Sequence, residues 1–534
     1  MIKKGYFDLP ADTPRNFIDW IDARTKRYAD RMAFEICGDQ LTYAEVAHRS
    51  DLTATGFASL GLQFGEHVAL MMETSTANIE AWFGLLKAGL VEVPVHTANK
   101  GLLLAYIVDH TDARAMIVDA AFLSRLAEVA DQLPKLEHII VRHEGPCDLG
   151  ILPSRFIVHD LADLYIKGNV PRPKVDYRST AVILHTSGTT GPPKGVTISH
   201  EAALHLTRAT VRLNSYTSED RLFTTFPLFH QNAKYTSVCA AMECGGSLIM
   251  ERRFSASRFW DQCREKNITA FNYMGAVLMM LFKQPERPND ADNPIRIAFG
   301  APCPIEIWEQ FERRFNLQLV EVYGMTECPL VCENRIETRR IGSAGRESDA
   351  YHVRIVDEYD NPVPPDTSGE IVVRPKAPWV LFSEYYKQPD ATIEAWRNLW
   401  FHTGDRGRID ADGYLFFLDR MKDCIRRRGE NISSWEIENT INTHPAVLES
   451  AAYGVASELT ESDVMVAVVL RDEAELSAID LIEFCEKHMT RFAVPRYVRM
   501  CQKLPKNASD RIQKFKLREE GITDDTWDRD LQES

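Results

Sequence analysis

The sequence predicts an α/β protein with a large N-terminal domain and a small C-terminal domain. The chain has 534 residues, more than one hydrophobic core normally serves, so at least two domains are expected. Strand-like and helix-like segments alternate along its first part, which predicts parallel-rich sheets flanked by helices. Residues 352–374 instead contain short strand-like segments joined by turns rich in proline and aspartate. They predict a small antiparallel sheet.

The N-terminal elements follow in order. Residues 43–60 have the apolar spacing of an amphipathic helix, and a strand begins at residue 67. A second helix is predicted over residues 79–88, followed by a strand over residues 91–93. The polar, proline-containing stretch 167–177 then serves as a connector.

Beyond the connector, a short apolar strand at residues 181–184 leads into a glycine-rich loop, and another strand is predicted at residues 318–323. A charged break at residues 419–423 marks the predicted domain boundary. We therefore expect a large domain over residues 1–420 and a small one over residues 421–534.

The small domain has its own apolar pattern. A helix is predicted up to residue 442, strands at residues 449–453 and 464–470, and a further helix at residues 478–488. This order predicts an α+β domain.

Composition excludes several classes of protein. Hydrophobic residues make up 45% and charged residues 26%, as in ordinary soluble proteins. A net charge of -15 argues against a nucleic-acid partner, which requires a basic face. No apolar run is long enough to span a bilayer, and the first residues lack the apolar core of a signal peptide. The 11 cysteines, without a CxxC pair, predict neither disulfides nor a zinc site. We expect a cytoplasmic protein.

The glycine-rich loop carries the clearest chemical signal. Residues 186–195 contain three glycines, four hydroxyl side chains and a lysine, directly after a strand. Glycines let backbone N–H groups approach an anion closely, and hydroxyls add donors, so the loop predicts a polyphosphate site. It is not a Walker loop, because Pro193 precedes Lys194 where that motif has glycine.

The segment Ser187–Gly195 resembles the phosphate-binding loop of the adenylate-forming superfamily, which includes acyl-CoA synthetases, luciferases and peptide-synthetase adenylation domains. The resemblance extends from Asp30 to Glu519, and the other motifs follow in family order. It implies that Lys194 is catalytic. The nucleotide-binding residues that it implies in this loop are Thr186, Ser187, Gly188, Thr189, Thr190 and Gly191.

The segment from Tyr323 to Glu327 resembles the family's adenine and phosphate segment. This implies that Tyr323, Gly324 and Met325 bind the nucleotide and that Thr326 contacts phosphate. Glu327 is implied as the magnesium ligand, which suits a hard cation that prefers carboxylate oxygen.

Pocket walls are implied by two further matches. His230 matches the gate between the nucleotide and acyl pockets, while Gly300, Ala301 and Pro302 resemble walls of those pockets. The spacing after His230, together with residues 272–273, resembles the carnitine/crotonobetaine-CoA ligase branch. The walls look largely apolar with Asn232, Asn272 and Tyr273 added, which suits a medium-sized acid with one polar group.

The C-terminal matches concern ribose and coenzyme A. Asp405 and Arg420 resemble the two ribose contacts of the family. The resemblance also implies a mobile small domain, which rotates about a hinge at Lys422. The residues implied to line the pantetheine tunnel are Gly429, Glu430 and Asn431.

The last family motif departs from its pattern. Arg511 stands where the family has a catalytic lysine, and Asp510 stands at the preceding glycine. Arginine is a bulkier planar fork, and misplacing a preorganised donor typically costs about 10²–10³ in rate. Lys506 and Lys514 are nearby in sequence, and a substitute role for either stays open.

The predicted function is an acid–thiol ligase that uses ATP, Mg²⁺ and coenzyme A to convert a carboxylic acid through acyl-AMP into a thioester. One alternative is that Arg511 prevents adenylation, so that the chain thioesterifies acyl-AMP supplied by a partner adenylating ligase. Another is a sensor of nucleotide or acyl-AMP without turnover. A carrier-protein acceptor also stays open, and the resemblance favours a homodimer.

Overall fold

The computed structural model describes residues 9–10, 12–168, 172–186, 193–421, 425–427, 430–432, 434–457, 462–489, 493–506 and 512–531. The chain divides into two compact units. The first comprises Met1–His352 and Arg374–Arg397, and the second comprises Val353–Val373 and Asn398–Ser534. The boundary between residues 420 and 421 stays a prediction.

The strands within the described residues are, in chain order, β1 (Met32–Ile36), β2 (Asp39–Thr42), β3 (His67–Met71), β4 (Val91–Pro94), β5 (Ala115–Asp119), β6 (His138–Arg142), β7 (Ile157–Asp160), β8 (Thr180–Thr186), β9 (Lys194–Ser199), β10 (Arg221–Thr224), β11 (Ser247–Met250), β12 (Ala270–Tyr273), β13 (Ile297–Gly300), β14 (Gln318–Tyr323), β15 (Cys332–Glu333), β16 (Arg346–Glu347), β17 (Tyr351–Val356), β18 (Gly369–Pro375), β19 (Phe401–Ile409), β20 (Leu415–Arg420), β21 (Ile425–Arg427), β22 (Glu430–Ile432), β23 (Val447–Ala456), β24 (Ser462–Leu470), β25 (Tyr497–Cys501) and β26 (Thr526–Asp528).

The α-helices of the same residues are α1 (Phe17–Arg27), α2 (Tyr43–Ser59), α3 (Thr76–Lys87), α4 (Gly101–His110), α5 (Leu123–Val129), α6 (His200–Leu213), α7 (Cys239–Cys244), α8 (Phe259–Glu265), α9 (Gly275–Phe282), α10 (Trp308–Phe315), α11 (Pro389–Ala395), α12 (Ser434–Asn442), α13 (Ala478–His488) and α14 (Lys514–Glu520). A π-helix, Asn232–Val238, runs directly into α7. None of the described helices is long and apolar enough to cross a membrane.

The first unit contains two large sheets. One has the strand order β16-β15-β14-β13-β12-β10-β11-β1-β2, and the other has the order β7-β6-β5-β3-β4-β8-β9. Pairing is parallel through the middle of each sheet and antiparallel where β2, β9, β15 and β16 join. The predicted parallel-rich sheets are confirmed.

Helices cover these sheets with apolar side chains. In the seven-stranded sheet, Leu104 of α4 and Leu126 of α5 are buried in one cluster with Val118 of β5. In the nine-stranded sheet, Trp308 of α10 belongs to a cluster with Phe271 of β12. Burial of such side chains supplies most of the stability of helices packed on a sheet.

The second unit contains the predicted small antiparallel sheet, in the order β17-β18-β19-β20, and a further sheet in the order β23-β24-β25-β26. Along β24, Val464, Val466 and Val468 lie in one buried cluster, whereas Met465 and Ala467 lie in another. Both faces of this sheet are therefore covered, as period-2 alternation between two cores requires.

Candidate active site

The phosphate loop joins two antiparallel strands at one edge of the seven-stranded sheet. Thr186 ends β8, Lys194 begins β9, and these two residues are paired across the ladder. The loop is therefore closed at its base by the sheet. The predicted phosphate ligands between them, Ser187 to Gly191, lie outside the described residues.

Lys194 and Glu327 are brought together through a tyrosine. The Lys194 Nζ lies 4.5 Å from the centroid of the Tyr385 ring. The Tyr385 hydroxyl donates a hydrogen bond of 2.9 Å to Oε1 of Glu327. Burial, together with the charge of Glu327, raises the pKa of Tyr385, so this phenol stays protonated and keeps donating. One face of the ring meets a cation while its hydroxyl fixes a carboxylate.

The segment that carries Tyr385 is itself tied to β9. The backbone N–H of Tyr386 donates to the carbonyl of Gly195 at 2.7 Å, and that of Phe382 donates to the carbonyl of Glu327 at 2.9 Å. These bonds hold the end of the phosphate loop and the Thr326–Glu327 turn in a fixed relation.

A small cavity opens beside Thr326. Its lining residues are Ile198, Ala202, Ala203, Leu206, Gln231, Tyr235, Thr326, Pro329, Leu381 and Phe382. The side chains are mainly apolar, and the lining contains no ionised group. The cavity has room for about one water molecule, and its apolar lining lies directly beside the polar side chain of Thr326.

The predicted nucleotide segment Tyr323-Gly324-Met325 forms a tight turn at the end of β14. The Met325 N–H donates to the carbonyl of Cys328 at 3.1 Å, and the Val331 N–H donates to the carbonyl of Tyr323 at 2.8 Å. A Cβ on Gly324 would lie 2.6 Å from the Leu330 nitrogen. Glycine is required here because the chain folds back on itself.

Gly300, Ala301 and Pro302 follow β13, next to β14. A Cβ on Gly300 would lie 2.1 Å from the carbonyl oxygen of Tyr273 on β12. Gly300 is also paired with Glu321 of β14. The predicted wall is therefore built from strand ends that lie side by side at the carboxyl edge of the sheet, the usual place for a ligand in an open α/β sheet.

Glu321 is a buried acid at this edge. Burial raises its pKa to about 8, although a hydrogen bond from the backbone of Cys303 opposes the shift. The carboxyl group is thus largely protonated at neutral pH and can act as a hydrogen-bond donor.

His230 lies in an aromatic group with His96 and Phe229. The ring centroids of His96 and Phe229 are 4.0 Å apart, and those of His96 and His230 are 5.9 Å apart. Burial, with a smaller contribution from His96, lowers the pKa of His230 to about 4. The predicted gate is therefore a neutral imidazole at neutral pH.

A polar cluster stands next to this group. The Asn272 side-chain amide lies 2.9 Å from Oδ1 of Asn232, 2.9 Å from Oγ1 of Thr236 and 2.8 Å from Oγ of Ser237. The hydroxyl of Tyr273 donates to the carbonyl of Val320 at 3.2 Å and is buried. Asn232 and Asn272 are thus engaged with each other, and Tyr273 is engaged with the sheet.

In the second unit, the predicted ribose residues are paired. Asp405 of β19 faces Arg420 of β20, and the Arg420 Nε lies 3.3 Å from Oδ1 of Asp405. Thr403 anchors the turn before Asp405, since its hydroxyl donates to the carbonyl of Ile371 at 2.7 Å and accepts from the Asp405 N–H at 3.1 Å.

The predicted pantetheine residues Glu430 and Asn431 lie in β22, opposite Arg427 and Arg426 of β21. Gly429 lies outside the described residues. So do the predicted hinge, Lys422, and the predicted catalytic Arg511 with its neighbour Asp510.

Both lysines near Arg511 are engaged with carboxylates of the second unit. The Lys506 Nζ lies 2.7 Å from Oε2 of Glu449. The Lys514 Nζ lies 2.8 Å from Oε1 of Glu438 and donates to the Ser434 hydroxyl at 2.6 Å. Lys514 is therefore part of the internal packing of this unit.

The residues present fit magnesium carried by a polyphosphate rather than a protein cage. The described residues contain no cluster of three or more His, Cys, Asp or Glu side chains able to hold a metal ion. Glu327 is buried and held by Tyr385, so it offers an oriented hard oxygen. Mg²⁺ commonly takes one or two carboxylates and completes its shell with phosphate and water.

Sequence reasoning missed Tyr385 and Glu321. Nothing in the sequence around Tyr385 distinguishes it from its neighbour Tyr386. Glu321 could have been noticed, because it is an acid inside the otherwise apolar strand β14.

Comparison with known proteins gives a class for this fold and site. A family model described as AMP-binding enzyme matches residues 21–386, and one described as AMP-binding enzyme C-terminal domain matches residues 436–511. The chain belongs to the AMP-binding enzyme family.

Relatives include the crotonobetaine/carnitine–CoA ligases of Salmonella paratyphi B and Salmonella typhimurium. Each is 32% identical over 502 residues, which cover 92% of this chain and 96% of the relative. The predicted branch resemblance and the predicted class, an AMP-forming acid–thiol ligase, are confirmed.

Solved structures share the whole fold. An anthranilate CoA ligase in complex with anthranoyl-AMP has a TM-score of 0.86 at 24% identity, and the match covers 96% of this chain and 98% of that chain. ATP-bound MatB from Rhodopseudomonas palustris has a TM-score of 0.81 at 25% identity, with coverage of 95% and 99%.

Proposed function

We propose that this enzyme joins a carboxylic acid of medium size to coenzyme A in two steps, through an acyl-adenylate. The observation that carries the proposal is the arrangement of Lys194, Tyr385 and Glu327 beside the cavity next to Thr326. A cation, a hydroxyl and an oriented carboxylate in one group suit attack of a carboxylate on a nucleotide phosphate.

In the first step, Lys194 and the Thr326 hydroxyl hold the phosphates while the acid attacks the α-phosphorus and pyrophosphate leaves. This chemistry depends mainly on positioning and charge stabilisation. Glu327 would hold Mg²⁺, which neutralises charge on the phosphate oxygens when it is bound. No residue of the chain needs to become covalently attached.

The residues around the proposed acid pocket shape the pocket and exclude water from it. His230 is neutral, and its ring packs with Phe229, so the gate can exclude water from a hydrolysable intermediate without introducing a charge. Gln231, Tyr235 and Thr326 supply the polar groups of an otherwise apolar lining. We infer an acid with an uncharged, mainly apolar tail. A quaternary ammonium group would favour a carboxylate or an aromatic cage.

In the second step, the thiol of coenzyme A attacks the acyl carbon and AMP leaves. We assign ribose binding to Asp405 and Arg420, and the pantetheine path to Gly429, Glu430 and Asn431. Rotation of the small domain about Lys422 would separate the two steps. These roles rest on the resemblance of the motifs. We further propose a cytoplasmic enzyme that forms a homodimer.

The direct test is pyrophosphate exchange over a panel of carboxylic acids, with wild type and Arg511→Lys in parallel. Acid-dependent exchange in the wild type supports a complete ligase and begins to identify its acid. The absence of both exchange and thioester formation, with every acid and with supplied acyl-adenylates, would contradict the proposal.

A second candidate function is thioesterification without adenylation. It is favoured by Arg511 and Asp510 in the last motif, and by the engagement of Lys506 and Lys514 with Glu449 and Glu438. In this case a partner ligase would supply acyl-AMP. This function is supported if the wild type shows no pyrophosphate exchange, Arg511→Lys restores exchange, and the wild type forms thioester from supplied acyl-AMP. Tight ATP binding without AMP release would instead select a sensor.

A further inference from the structure

Glu92 and Lys234 form a fully buried ion pair in the first unit, and Tyr235, the residue after Lys234, lines the cavity described above. Oε1 of Glu92 lies 2.5 Å from Nζ of Lys234, and both side chains are 0% exposed. The Lys234 Nζ also lies 3.6 Å from the centroid of the Trp82 ring. Oε2 of Glu92 has no hydrogen-bond partner among the described residues.

Glu92 belongs to β4, in the middle of the seven-stranded sheet, where it is paired with Val68 of β3 and Val182 of β8. Its backbone is thus fixed on both sides. Because its backbone is fixed in the sheet, Glu92 can hold the side chain of Lys234 in a defined position.

Lys234 lies in the π-helix Asn232–Val238, which is less regular than the sheet. The Lys234 carbonyl accepts the π-type bond from the N–H of Cys239, five residues on. Its own N–H donates to the carbonyl of His230 at 3.2 Å. A π-turn is rare and is frequently found at functional sites.

The same turn supplies the cavity wall. Gln231 directly precedes the π-helix and Tyr235 lies within it, and both line the cavity with Thr326. The segment after β4 also reaches the site, since His96 contacts His230. The ion pair therefore joins the strand that leads to His96 to the turn that carries Gln231 and Tyr235.

Stability alone does not account for such a pair. Removing two charges from water is expensive, and a buried ion pair is often no better than apolar residues of similar volume. Within the described parts of the chain, one oxygen of the Glu92 carboxylate also has no hydrogen-bond partner. What the pair does provide is a fixed distance between β4 and the π-turn.

We propose that Glu92 and Lys234 are positioning residues for recognition of the acid. Their ion pair holds the turn in its π form, and that form directs Gln231 and Tyr235 into the cavity. An α-helical turn has a different angular step, so loss of the pair would rotate these two side chains relative to each other. The inference rests on the proposed function, because it assumes that this cavity receives the acid.

The test compares wild type with the double variant Glu92→Leu/Lys234→Met, which removes both charges and leaves no lone buried ion. Thermal unfolding checks that the variant is folded, and we expect its midpoint at or above that of wild type. We expect kcat/KM for the acid to fall about 10²-fold. The change should lie mainly in the KM for the acid, with the KM for ATP unchanged and selectivity among acids of different length reduced.

Asp119→Asn/Arg142→Met serves as the matched control. These residues form another ion pair of the seven-stranded sheet, at 3.1 Å, and we expect the KM for the acid to stay at its wild-type value. If the double variant at Glu92 and Lys234 does not fold, Glu92→Asp is the alternative, because it keeps both charges and shortens the acidic side chain by one methylene group. A several-fold rise in the KM for the acid, without a change for ATP, is then expected.

Wild-type acid kinetics in a folded double variant, or in Glu92→Asp, would overturn the inference and leave the proposed function standing. Affinity for non-hydrolysable acyl-AMP analogues, measured by calorimetry, separates the two proposals without turnover. A wild type that binds none of them would overturn both. A wild type that binds one analogue, with a folded variant that binds it equally well, would overturn only the positioning role.

Discussion

At the scale of single residues, the site depends on contacts that orient charge. Tyr385 touches Lys194 with its ring and Glu327 with its hydroxyl. The charge of Glu327 and the hydrogen bond that it accepts from Tyr385 can therefore be removed separately, by different substitutions.

Glu327→Gln should lower the rate of pyrophosphate exchange by about 10²–10³-fold, because a preorganised charge at the reacting phosphates is lost. Tyr385→Phe should cost less, about tenfold, since Glu327 keeps its charge and loses only an orienting hydrogen bond. The control is Tyr386→Phe, which removes a 3.0 Å bond to Asp112. Equal losses in Tyr385→Phe and Tyr386→Phe would contradict the assigned role.

Glu321 gives a prediction about pH. Its pKa rises from the ordinary 4.5 to about 8 in the folded protein, so the unfolded chain loses this proton first as pH increases. The contribution of Glu321 to the free energy of unfolding should therefore be highest below pH 4.5 and decline as pH rises from 4.5 to about 8. Glu321→Gln should flatten this slope, as measured by urea unfolding across that range. An unchanged slope would show that Glu321 is already ionised.

The sequence offers candidate site residues where a local motif marks them, as at Lys194, Thr326 and Glu327, and their roles stay predictions. It did not predict Tyr385, because a tyrosine becomes part of a site only through partners far away in the sequence. The same holds for the engagement of Lys514 with Glu438. Long-range pairing is a property of the fold and not of any sequence window.

At the scale of elements, patterns of apolar residues predicted most strands and helices. The predicted strand at residues 318–323 and the predicted helix at residues 478–488 have those bounds in the structure. The second predicted helix begins earlier, at Thr76, because the Ser75 side chain caps it by accepting from the Asn78 N–H. The π-helix was not predicted, since its apolar spacing resembles that of an α-helix and only the hydrogen bonds distinguish them.

The close packing of β12 against β13 gives a prediction at this scale. Gly300→Ala would place a Cβ 2.1 Å from a backbone oxygen, so the strands must separate. We expect a loss of about 2–3 kcal/mol in the free energy of unfolding, together with weaker ATP binding. In Gly145→Ala the new Cβ would have no neighbour within 4 Å, and stability should be nearly unchanged. Equal stability of the two variants would contradict the steric argument.

At the scale of the whole molecule, the two half-reactions should respond to different variants. Glu327→Gln should slow adenylation yet still permit thioester formation from supplied acyl-AMP. Gly429→Ala should keep pyrophosphate exchange and slow thioester formation by about tenfold or more, because a Cβ would narrow the proposed tunnel. Single-turnover assays of each half-reaction provide the measurement. If both variants lost both half-reactions to the same extent, the assignment of Glu327 to adenylation and of Gly429 to thioester formation would be contradicted.

Two domains were predicted from the chain length, with a boundary at the charged break of residues 419–423, and the structure contains two compact units. The segments 353–373 and 398–420 join the second unit through contacts that are distant in sequence, and no local sequence pattern reports such contacts.

The π-helix beside His230 has a consequence for how such enzymes diverge. A π-turn is in effect an α-helix that has accommodated one additional amino acid without moving its ends. A gene that lost a single codon between positions 232 and 238 would still encode the helix leading into Cys239. Under the proposed function, such a deletion would present a different set of side chains to the acid, and we expect it to change the preferred acid without rebuilding the fold.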